Sequence, residues 1–277
     1  MQQRTLIVGV DSLIGSVLLR QCPDADGTSR RPGAALRFDL AEPDFAAIAG
    51  RPYATAFICA AVTDMRACQS RPAETRRVNV DNTIELMRRL ADRGTHLVFF
   101  STTQVFDGRV QCPTEEAATN PRNEYGAQKR GVERAIARYD LPAAILRISK
   151  VMGDQPSGAF KSWRDSPGPI TAATNLEISP VAAADAAGLA RRLADGRHRG
   201  LWHFGAADAV TYAEAARLMV ESQGRSSEVV GEALTEARVP AIYRLGNARL
   251  CSDKVARTFG LVPRSARAVL GEIFARW

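Results

Sequence analysis

Short apolar runs alternate with amphipathic, helix-like stretches through the first two thirds of the chain. Each run is typical of a strand that helices cover on both faces. We predict strands at residues 5–10, 54–60, 96–101 and 143–148. The stretches between them predict helices at residues 13–20, 74–93 and 125–138. Strands separated by helices of this length imply βαβ units, so the pattern predicts an α/β fold with a parallel sheet and helices on both faces.

The pattern changes after residue 150. Residues 152–178 are rich in proline and glycine and show weak periodicity. Helical patterns return at residues 182–194 and 212–222, with a strand-like run at 201–204 between them. We predict a main domain over residues 1–150, to which residues 182–204 return, and a smaller C-terminal lobe over residues 151–181 and 205–277.

Composition narrows the class of protein. The 277 residues are 45% hydrophobic and 24% charged, as in globular proteins. No apolar run approaches the ~20 residues of a membrane span, and the first residues lack the pattern of a secretory signal. We therefore expect no membrane association and a cytoplasmic location. The net charge of +7 comes from scattered arginines, which disfavours nucleic acid and suits an anionic small ligand.

Cysteine and histidine usage suggests no metal. The five cysteines are odd in number and form no CxxC pair, and the three histidines show no ligand spacing. We expect neither a disulfide framework nor a metal site.

A glycine-containing turn joins the first predicted strand to the first predicted helix. Such a turn lets the backbone approach a pyrophosphate, which the helix N-terminus favours. Gly9 would make the turn and Gly15 would let the helix pack on the sheet, while Ser12 stands at the middle position usually held by glycine. The alternative is an ordinary strand-to-helix turn. The residues expected to bind a dinucleotide here are Gly9, Asp11, Ser12, Leu13, Ile14 and Gly15.

The end of the second strand suggests which dinucleotide binds. Sites that prefer NAD carry an acidic residue about 20 residues after the glycine turn, whereas this chain has Ser29, Arg30 and Arg31. A hydroxyl and two guanidinium groups suit the 2′-phosphate of NADP, so we predict NADPH, with NAD less favoured. A solvated loop is the alternative. Asp39 and Leu40 follow a third strand, where the carboxylate would accept from adenine or, equally, cap a turn.

The strongest chemical signal is Tyr125 followed four residues later by Lys129. Residues at this spacing lie on one helical face, so the ammonium can sit beside the phenol. A free phenol has a pKa of about 10, and a neighbouring positive charge lowers it. Tyr125 could then donate a proton to a carbonyl oxygen, while Lys129 holds the ribose of the cofactor. The alternative is a packed tyrosine with an exposed lysine.

Polar residues elsewhere in the chain support the interpretation of Tyr125 and Lys129 as reactive residues. Ser101 and Thr102 end a predicted strand, at the sheet edge where ligands bind, so a hydroxyl there can polarise a carbonyl. Asn79 lies inside a predicted helix, although Asn is a poor helix former. It could open the helix locally and hold a water for a proton relay.

These motifs together resemble an extended short-chain dehydrogenase/reductase. Residues 101–108 are similar to the STDYVFDG segment of dTDP-4-dehydrorhamnose reductases. Residues 146–153 are similar to the LRTSWVYG segment of that group, and residues 200–204 to its GIYH element.

The resemblance implies a Rossmann-type sheet, hydride transfer from a nicotinamide, and a triad carried here by Thr102, Tyr125 and Lys129. It implies that residues 1–150 form the NADP-binding domain and that the C-terminal lobe binds substrate. Asn79 matches the structural Asn of these proteins. The resemblance also implies further cofactor contacts, at Cys59, Ala60, Ala61 and Thr63.

The positions expected on the substrate side differ from the dTDP-4-dehydrorhamnose reductases. Arg66, Thr103 and Gln104 replace Asp, Asp and Tyr, and Lys150 replaces an aromatic residue. With Thr102, the first three are the expected substrate contacts.

We expect an NADPH-dependent oxidoreductase that reduces a carbonyl, with a nucleotide-linked keto-deoxy sugar as one candidate substrate. The alternatives are an NAD-dependent sugar-nucleotide epimerase or dehydratase, and a non-catalytic NADP-binding regulatory protein. Many relatives dimerise through helices beside the sheet, so a homodimer is one expected assembly.

Overall fold

A computed structural model of the chain describes residues 4–234 and 240–277. Its strands are β1 (Thr5–Val8), β2 (Asp26–Ser29), β3 (Leu36–Arg37), β4 (Thr55–Ile58), β5 (His96–Thr102), β6 (Ala143–Ile148), β7 (Lys150–Met152), β8 (Ile170–Ala173), β9 (Glu177–Ile178), β10 (Pro180–Ala182), β11 (Gly200–Phe204), β12 (Val210–Thr211) and β13 (Val230–Ala233). Its α-helices are α1 (Leu13–Gln21), α2 (Phe45–Ala49), α3 (Met65–Ser70), α4 (Pro72–Arg76), α5 (Thr83–Ala91), α6 (Glu124–Arg138), α7 (Ala159–Arg164), α8 (Ala183–Asp195), α9 (Tyr212–Ser222), α10 (Asp253–Phe259) and α11 (Ala266–Phe274).

The central sheet has the strand order β3-β2-β1-β4-β5-β6-β11. β1 lies parallel to both β2 and β4, with Val8 opposite Thr28 on one side and Ile58 on the other. β2 pairs in parallel with β3, and β4 with β5. The strand order reverses between β1 and β4, and open sheets bind ligands at the carboxyl ends of the strands beside such a point. The predicted Rossmann-type parallel sheet is confirmed.

Burial explains why the strands are apolar without alternation. All seven residues of β5 are buried, and Leu97 and Phe99 of this strand belong to the core around the sheet. Met87 of α5 and Val132 of α6 belong to the same core. A strand covered on both faces needs apolar side chains at every position, because neither face reaches water.

Two predicted strands are longer than the observed ones. β1 ends at Val8 because Gly9 adopts φ 90°, outside the extended region. β4 ends at Ile58, after which the N–H groups of Cys59 and Ala60 both donate to the Val8 carbonyl, at 3.0 and 2.9 Å. Both strands therefore stop where the chain enters the turns expected to hold the cofactor.

The predicted helix over residues 74–93 is divided in three. α4 is followed by a π-helical segment, Arg77–Asn82, and then by α5. Asn79 lies inside the π-helical segment. The local opening of the helix expected at this residue is therefore observed.

The chain separates into two compact units. Unit 1 comprises Met1–Val105, Thr119–Arg147 and Ala184–Trp202, and unit 2 comprises Phe106–Ala118, Ile148–Ala183 and His203–Trp277. Residues 106–118 thus belong to unit 2, whereas the predicted domains kept them within residues 1–150. Contacts distant in sequence explain the difference, because Asn247 donates to the Gly108 carbonyl at 2.7 Å and the Cys251 N–H donates to the Pro113 carbonyl at 3.1 Å.

Unit 2 contains short paired strands and an aromatic core. β7 pairs with β10 and β8 with β13 in parallel, and β9 pairs antiparallel with β12. The ring of Phe160 stacks on Tyr212 at 5.8 Å and meets Trp163 edge-on at 5.4 Å. The substrate-binding role of residues 151–181 and 205–277 stays a prediction.

Across residues 4–234 and 240–277, no helix combines the length and apolar character needed to cross a membrane. Within the same ranges, no group of three or more His, Cys, Asp or Glu side chains is placed to hold a metal ion.

Candidate active site

The turn after β1 requires glycine at its first and last positions. Gly9 has φ 90°, and a Cβ on it would lie 2.8 Å from backbone atoms of Ala60. A Cβ on Gly15 would lie 2.2 Å from the Gly9 carbonyl oxygen. Neither position has room for a side chain, so α1 begins in direct contact with the turn and close to the end of β4.

Ser12, at the middle position of the turn, has a backbone that any residue can adopt, with φ −75° and ψ 158°. Its hydroxyl donates to the Gly9 carbonyl at 2.8 Å and accepts from the Gly15 N–H at 3.1 Å. Its own N–H also donates to the Gly9 carbonyl, at 3.2 Å. Ser12 therefore caps α1, and both of its donors are used inside the turn. A contact from Ser12 to the cofactor stays a prediction. The first N–H groups of the helix, which have no partner within it, belong to Leu13 and Ile14.

Three residues expected to bind the cofactor meet at the end of β2. The hydroxyl of Ser29 donates to a carboxylate oxygen of Asp11. The other Asp11 oxygen lies 3.3 Å from Nε of Arg31, whose backbone N–H donates to the Ser29 hydroxyl at 3.0 Å. Arg30 is exposed. The structure thus brings the glycine turn and the end of β2 together.

The residues after β3 and β4 lie in two environments. Asp39 accepts from the Ala41 N–H at 2.9 Å, which is a turn cap, and Leu40 is buried in the core. A contact from Asp39 to adenine stays a prediction. After β4, Ala61 is partly buried and Thr63 is exposed.

Asn79 joins two parts of unit 1. Its carbonyl oxygen accepts from the Val62 N–H at 2.7 Å, and its amide donates to the Val62 carbonyl at 2.9 Å. The amide also donates to Oε1 of Gln128 on α6, at 2.8 Å, and Gln128 donates to Thr75 at 2.9 Å. The amide expected to hold a water thus contacts protein atoms directly and ties the chain after β4 to α6.

Tyr125 and Lys129 lie together on α6. Asn123 caps this helix by accepting from the Gly126 N–H at 2.8 Å, which places Tyr125 in the first turn. The ammonium of Lys129 lies 6.0 Å from the centroid of the Tyr125 ring. It donates to the Phe100 carbonyl of β5 at 2.9 Å.

Burial governs the titration of both groups. It raises the pKa of the Tyr125 phenol above its usual value, and it lowers the pKa of Lys129 to about 8. The sequence predicted a lowered phenol pKa beside the ammonium. Desolvation of the Tyr125 phenol dominates instead and raises its pKa.

Three of the four expected substrate contacts lie at the end of β5 or directly after it. The hydroxyl of Thr102 accepts from the Gln104 N–H at 3.2 Å, and Oε1 of Gln104 accepts from Asn123 at 2.8 Å. Thr103 is buried. A Cβ on Gly126 would lie 2.0 Å from the Gln104 carbonyl oxygen, so α6 packs in direct contact with this segment. Arg66 lies on α3 and is exposed.

A buried ion pair lies one helical turn beyond Lys129 and was missed from the sequence. Glu133 accepts from Nη2 and Nε of Arg147 at 2.7 and 3.0 Å, and from the Ser101 hydroxyl at 2.5 Å. Two signals could have found it: Glu133 follows Lys129 at helical spacing, and Arg147 interrupts the apolar run of β6.

The sheet topology and the Tyr125–Lys129 pair are those expected of an extended short-chain dehydrogenase/reductase. The family model and the relatives given below confirm the predicted oxidoreductase class. The chain belongs to the family described as RmlD substrate binding domain, whose model matches residues 3–277.

Named relatives and a solved structure are similar over most of the chain. A dTDP-4-dehydrorhamnose reductase of Sinorhizobium fredii is 30% identical, over 93% of this chain and 92% of the relative. Methionine adenosyltransferase 2 subunit beta of Rattus norvegicus is 27% identical, over 75% of this chain and 65% of that protein. The crystal structure of a dTDP-4-dehydrorhamnose reductase from Bacillus anthracis in complex with NADP has a TM-score of 0.88 at 19% identity, with full coverage of both chains.

Proposed function

We propose that the protein is an NADPH-dependent reductase of a carbonyl group, with a nucleotide-linked 4-keto-6-deoxy sugar as its substrate. The observation that carries the proposal is Lys129, whose ammonium is held at the end of β5 by the Phe100 carbonyl and lies beside the Tyr125 ring. The reductase of Sinorhizobium fredii supports the substrate class.

The residues around the glycine turn suit a dinucleotide. Gly9 and Gly15 exclude side chains from the turn, and the helix N-terminus behind it favours a pyrophosphate. Ser29, Arg30 and Arg31 supply the hydroxyl and guanidinium donors that a 2′-phosphate needs. NADPH in this position supplies the hydride, and NADP is also the ligand of the Bacillus anthracis reductase.

The chain's own residues handle the proton. The Tyr125 phenol is protonated at neutral pH, as a proton donor requires, and burial raises its pKa further. The phenol gives this proton to the carbonyl oxygen as the carbonyl carbon receives hydride, and the product is an alcohol. Lys129, with a pKa of about 8, is mostly protonated at pH 7 and stabilises the phenolate left behind.

The remaining expected site residues act on the substrate side. The Thr102 hydroxyl donates to the carbonyl oxygen and orients it. Arg66, Thr103 and Gln104 contact the rest of the substrate, and Asn79 holds the segment after β4 against α6. The homodimer and the cytoplasmic location stay predictions.

The test is NADPH oxidation, followed by its absorbance, across a dTDP-linked 4-keto-6-deoxy sugar, other keto-sugars and small ketones. We expect turnover with the nucleotide sugar, loss of turnover in Tyr125→Phe with NADPH binding retained, and full activity in Tyr139→Phe. Tyr139 is a suitable control because it is exposed and follows the same helix. Equal activity in Tyr125→Phe and the wild type would contradict the proposal.

A regulatory subunit is the second candidate, because one relative is named as subunit beta of methionine adenosyltransferase 2. Tight NADPH binding without turnover of any carbonyl, together with a changed rate of a partner enzyme, would favour this candidate. Protein that is purified with bound NAD⁺ would instead favour an epimerase or dehydratase.

A further inference from the structure

A carboxylate occupies the donors expected to bind the 2′-phosphate. Asp11, on the glycine turn, accepts from the Ser29 hydroxyl and lies 3.3 Å from Nε of Arg31. Ser29 is buried, which fixes its hydroxyl at the end of β2. The Arg31 side chain is 75% exposed and the Asp11 side chain 33% exposed, so a ligand can reach both charged groups.

The contacts of Asp11 should affect the binding of NADPH and of NADH differently. The Ser29 hydroxyl has one proton to donate, and Asp11 holds it. A 2′-phosphate must take this proton, share the Arg31 guanidinium and approach a carboxylate of the same charge sign. The 2′-hydroxyl of NADH is a hydrogen-bond donor, and a carboxylate is the acceptor that NAD sites provide for it.

We propose that Asp11 sets the cofactor preference of this protein, by weakening the binding of NADPH and supporting that of NADH. The inference rests on the proposed cofactor site and adds a residue that opposes the 2′-phosphate within it. The acidic group that NAD sites carry at the end of the second strand comes here from the glycine turn. The ratio of the affinities for NADPH and NADH therefore depends on Asp11.

The experiment is calorimetric titration of the full chain with NADPH, NADH, adenosine 2′,5′-bisphosphate and adenosine 5′-phosphate. Asp11→Asn keeps an acceptor for Ser29 and removes the charge, and Asp11→Ser is a second variant. Asp24→Asn is the matched control, because it removes the same charge from an exposed position before β2. Thermal unfolding of each variant shows that it is folded.

We expect Asp11→Asn to bind NADPH and the 2′,5′-bisphosphate about 5- to 10-fold more tightly. NADH binds about threefold more weakly, because an amide is a poorer acceptor than a carboxylate. Asp11→Ser shifts the ratio in the same direction. In an Arg31→Met background, Asp11→Asn should increase the affinity for NADPH by a smaller factor, because the guanidinium that it would release is absent. The control Asp24→Asn should leave the NADPH-to-NADH affinity ratio unchanged.

An NADPH-to-NADH affinity ratio that is the same in the wild type and both Asp11 variants would overturn the inference, while the proposed reductase would stand. Failure of the wild type to bind any dinucleotide would defeat the proposed function itself and the inference with it.

Discussion

Glu133 of α6 and Arg147 of β6 form a bidentate ion pair with side chains 6% and 4% exposed. Such a pair has lost its water on both sides, so each charge depends on the other. Glu133 also accepts from Ser101, so the pair joins α6 to β5 and β6 next to Lys129. Its position makes it part of the support for α6, the helix that carries Tyr125 and Lys129.

Breaking this pair should destabilise the protein. We expect Arg147→Met to lower the free energy of unfolding by about 3–5 kcal/mol, because it leaves a buried carboxylate unpaired. The double variant Glu133→Leu/Arg147→Met should recover most of the loss. The free energy of unfolding of each variant is measured by urea denaturation. Glu85→Gln, which breaks an exposed pair with Arg89, should change the value by less than about 1 kcal/mol; equal losses in both pairs would refute this account.

Lys129 should make stability depend on pH. Burial lowers its pKa to about 8 in the folded protein, whereas an unfolded lysine titrates at about 10.4. Between these values the unfolded chain binds more protons, so the free energy of unfolding rises with pH, by about 3 kcal/mol in total. The measurement is the difference in unfolding free energy between the wild type and Lys129→Met from pH 7 to about pH 10.5.

The control for this pH series is Lys161→Met, which removes an exposed lysine. Its difference from the wild type should stay flat with pH. If the difference in unfolding free energy between the wild type and Lys129→Met does not change with pH, the Lys129 ammonium is solvated in the folded protein.

Two glycines of α6 should respond oppositely to alanine. Gly126→Ala places a Cβ against the Gln104 carbonyl and should cost roughly 2 kcal/mol or more. It should also lower turnover, because it displaces Tyr125 from the segment after Thr102. Gly131→Ala meets only ordinary contact with Val80 at 3.6 Å and should stabilise the helix by about 0.5–1 kcal/mol. Thermal unfolding and turnover are measured for both variants. Similar losses of stability in Gly126→Ala and Gly131→Ala would contradict the close packing of Gly126.

Asn79 should matter for stability more than its neighbour Asn82. Asn79→Ala leaves the Val62 N–H without its partner and leaves the Val62 carbonyl with only the weak Cys68 thiol donor, and a cost of about 2–3 kcal/mol is expected. Hydrogen exchange at the Val62 amide should become faster. Asn82→Ala removes a single hydrogen bond to the Leu40 carbonyl and should cost about 1 kcal/mol. Unchanged exchange at Val62 would show that this contact is not what protects the amide.

The main strands of the sheet and the helices α1, α6, α8 and α9 could be predicted because their pattern is local. β6 was predicted with its observed bounds, Ala143–Ile148, and α9 with its bounds, Tyr212–Ser222. Burial on both faces produces continuous apolar runs, and one-sided burial produces helical spacing. The glycine turn and the Tyr125–Lys129 pair are also local, so their residue types and spacing were enough.

The partners of individual side chains could not be predicted in this way. Gln128 and Thr75 are 53 residues apart in the chain, and no periodicity relates them. The contact between Asp11 and Arg31 depends on how the glycine turn meets the end of β2, which residue types alone do not specify. The direction of the Tyr125 pKa shift likewise depends on burial, not on the spacing to Lys129.

The serine in the glycine turn has a consequence for finding dinucleotide sites in other chains. Positive φ and the lack of room for Cβ restrict the first and last positions of this turn, while the middle position accepts a small residue whose hydroxyl closes the start of the helix. A search that demands three glycines will therefore miss loops with this backbone geometry. Scoring each position by its backbone torsion and its clearance would retain them.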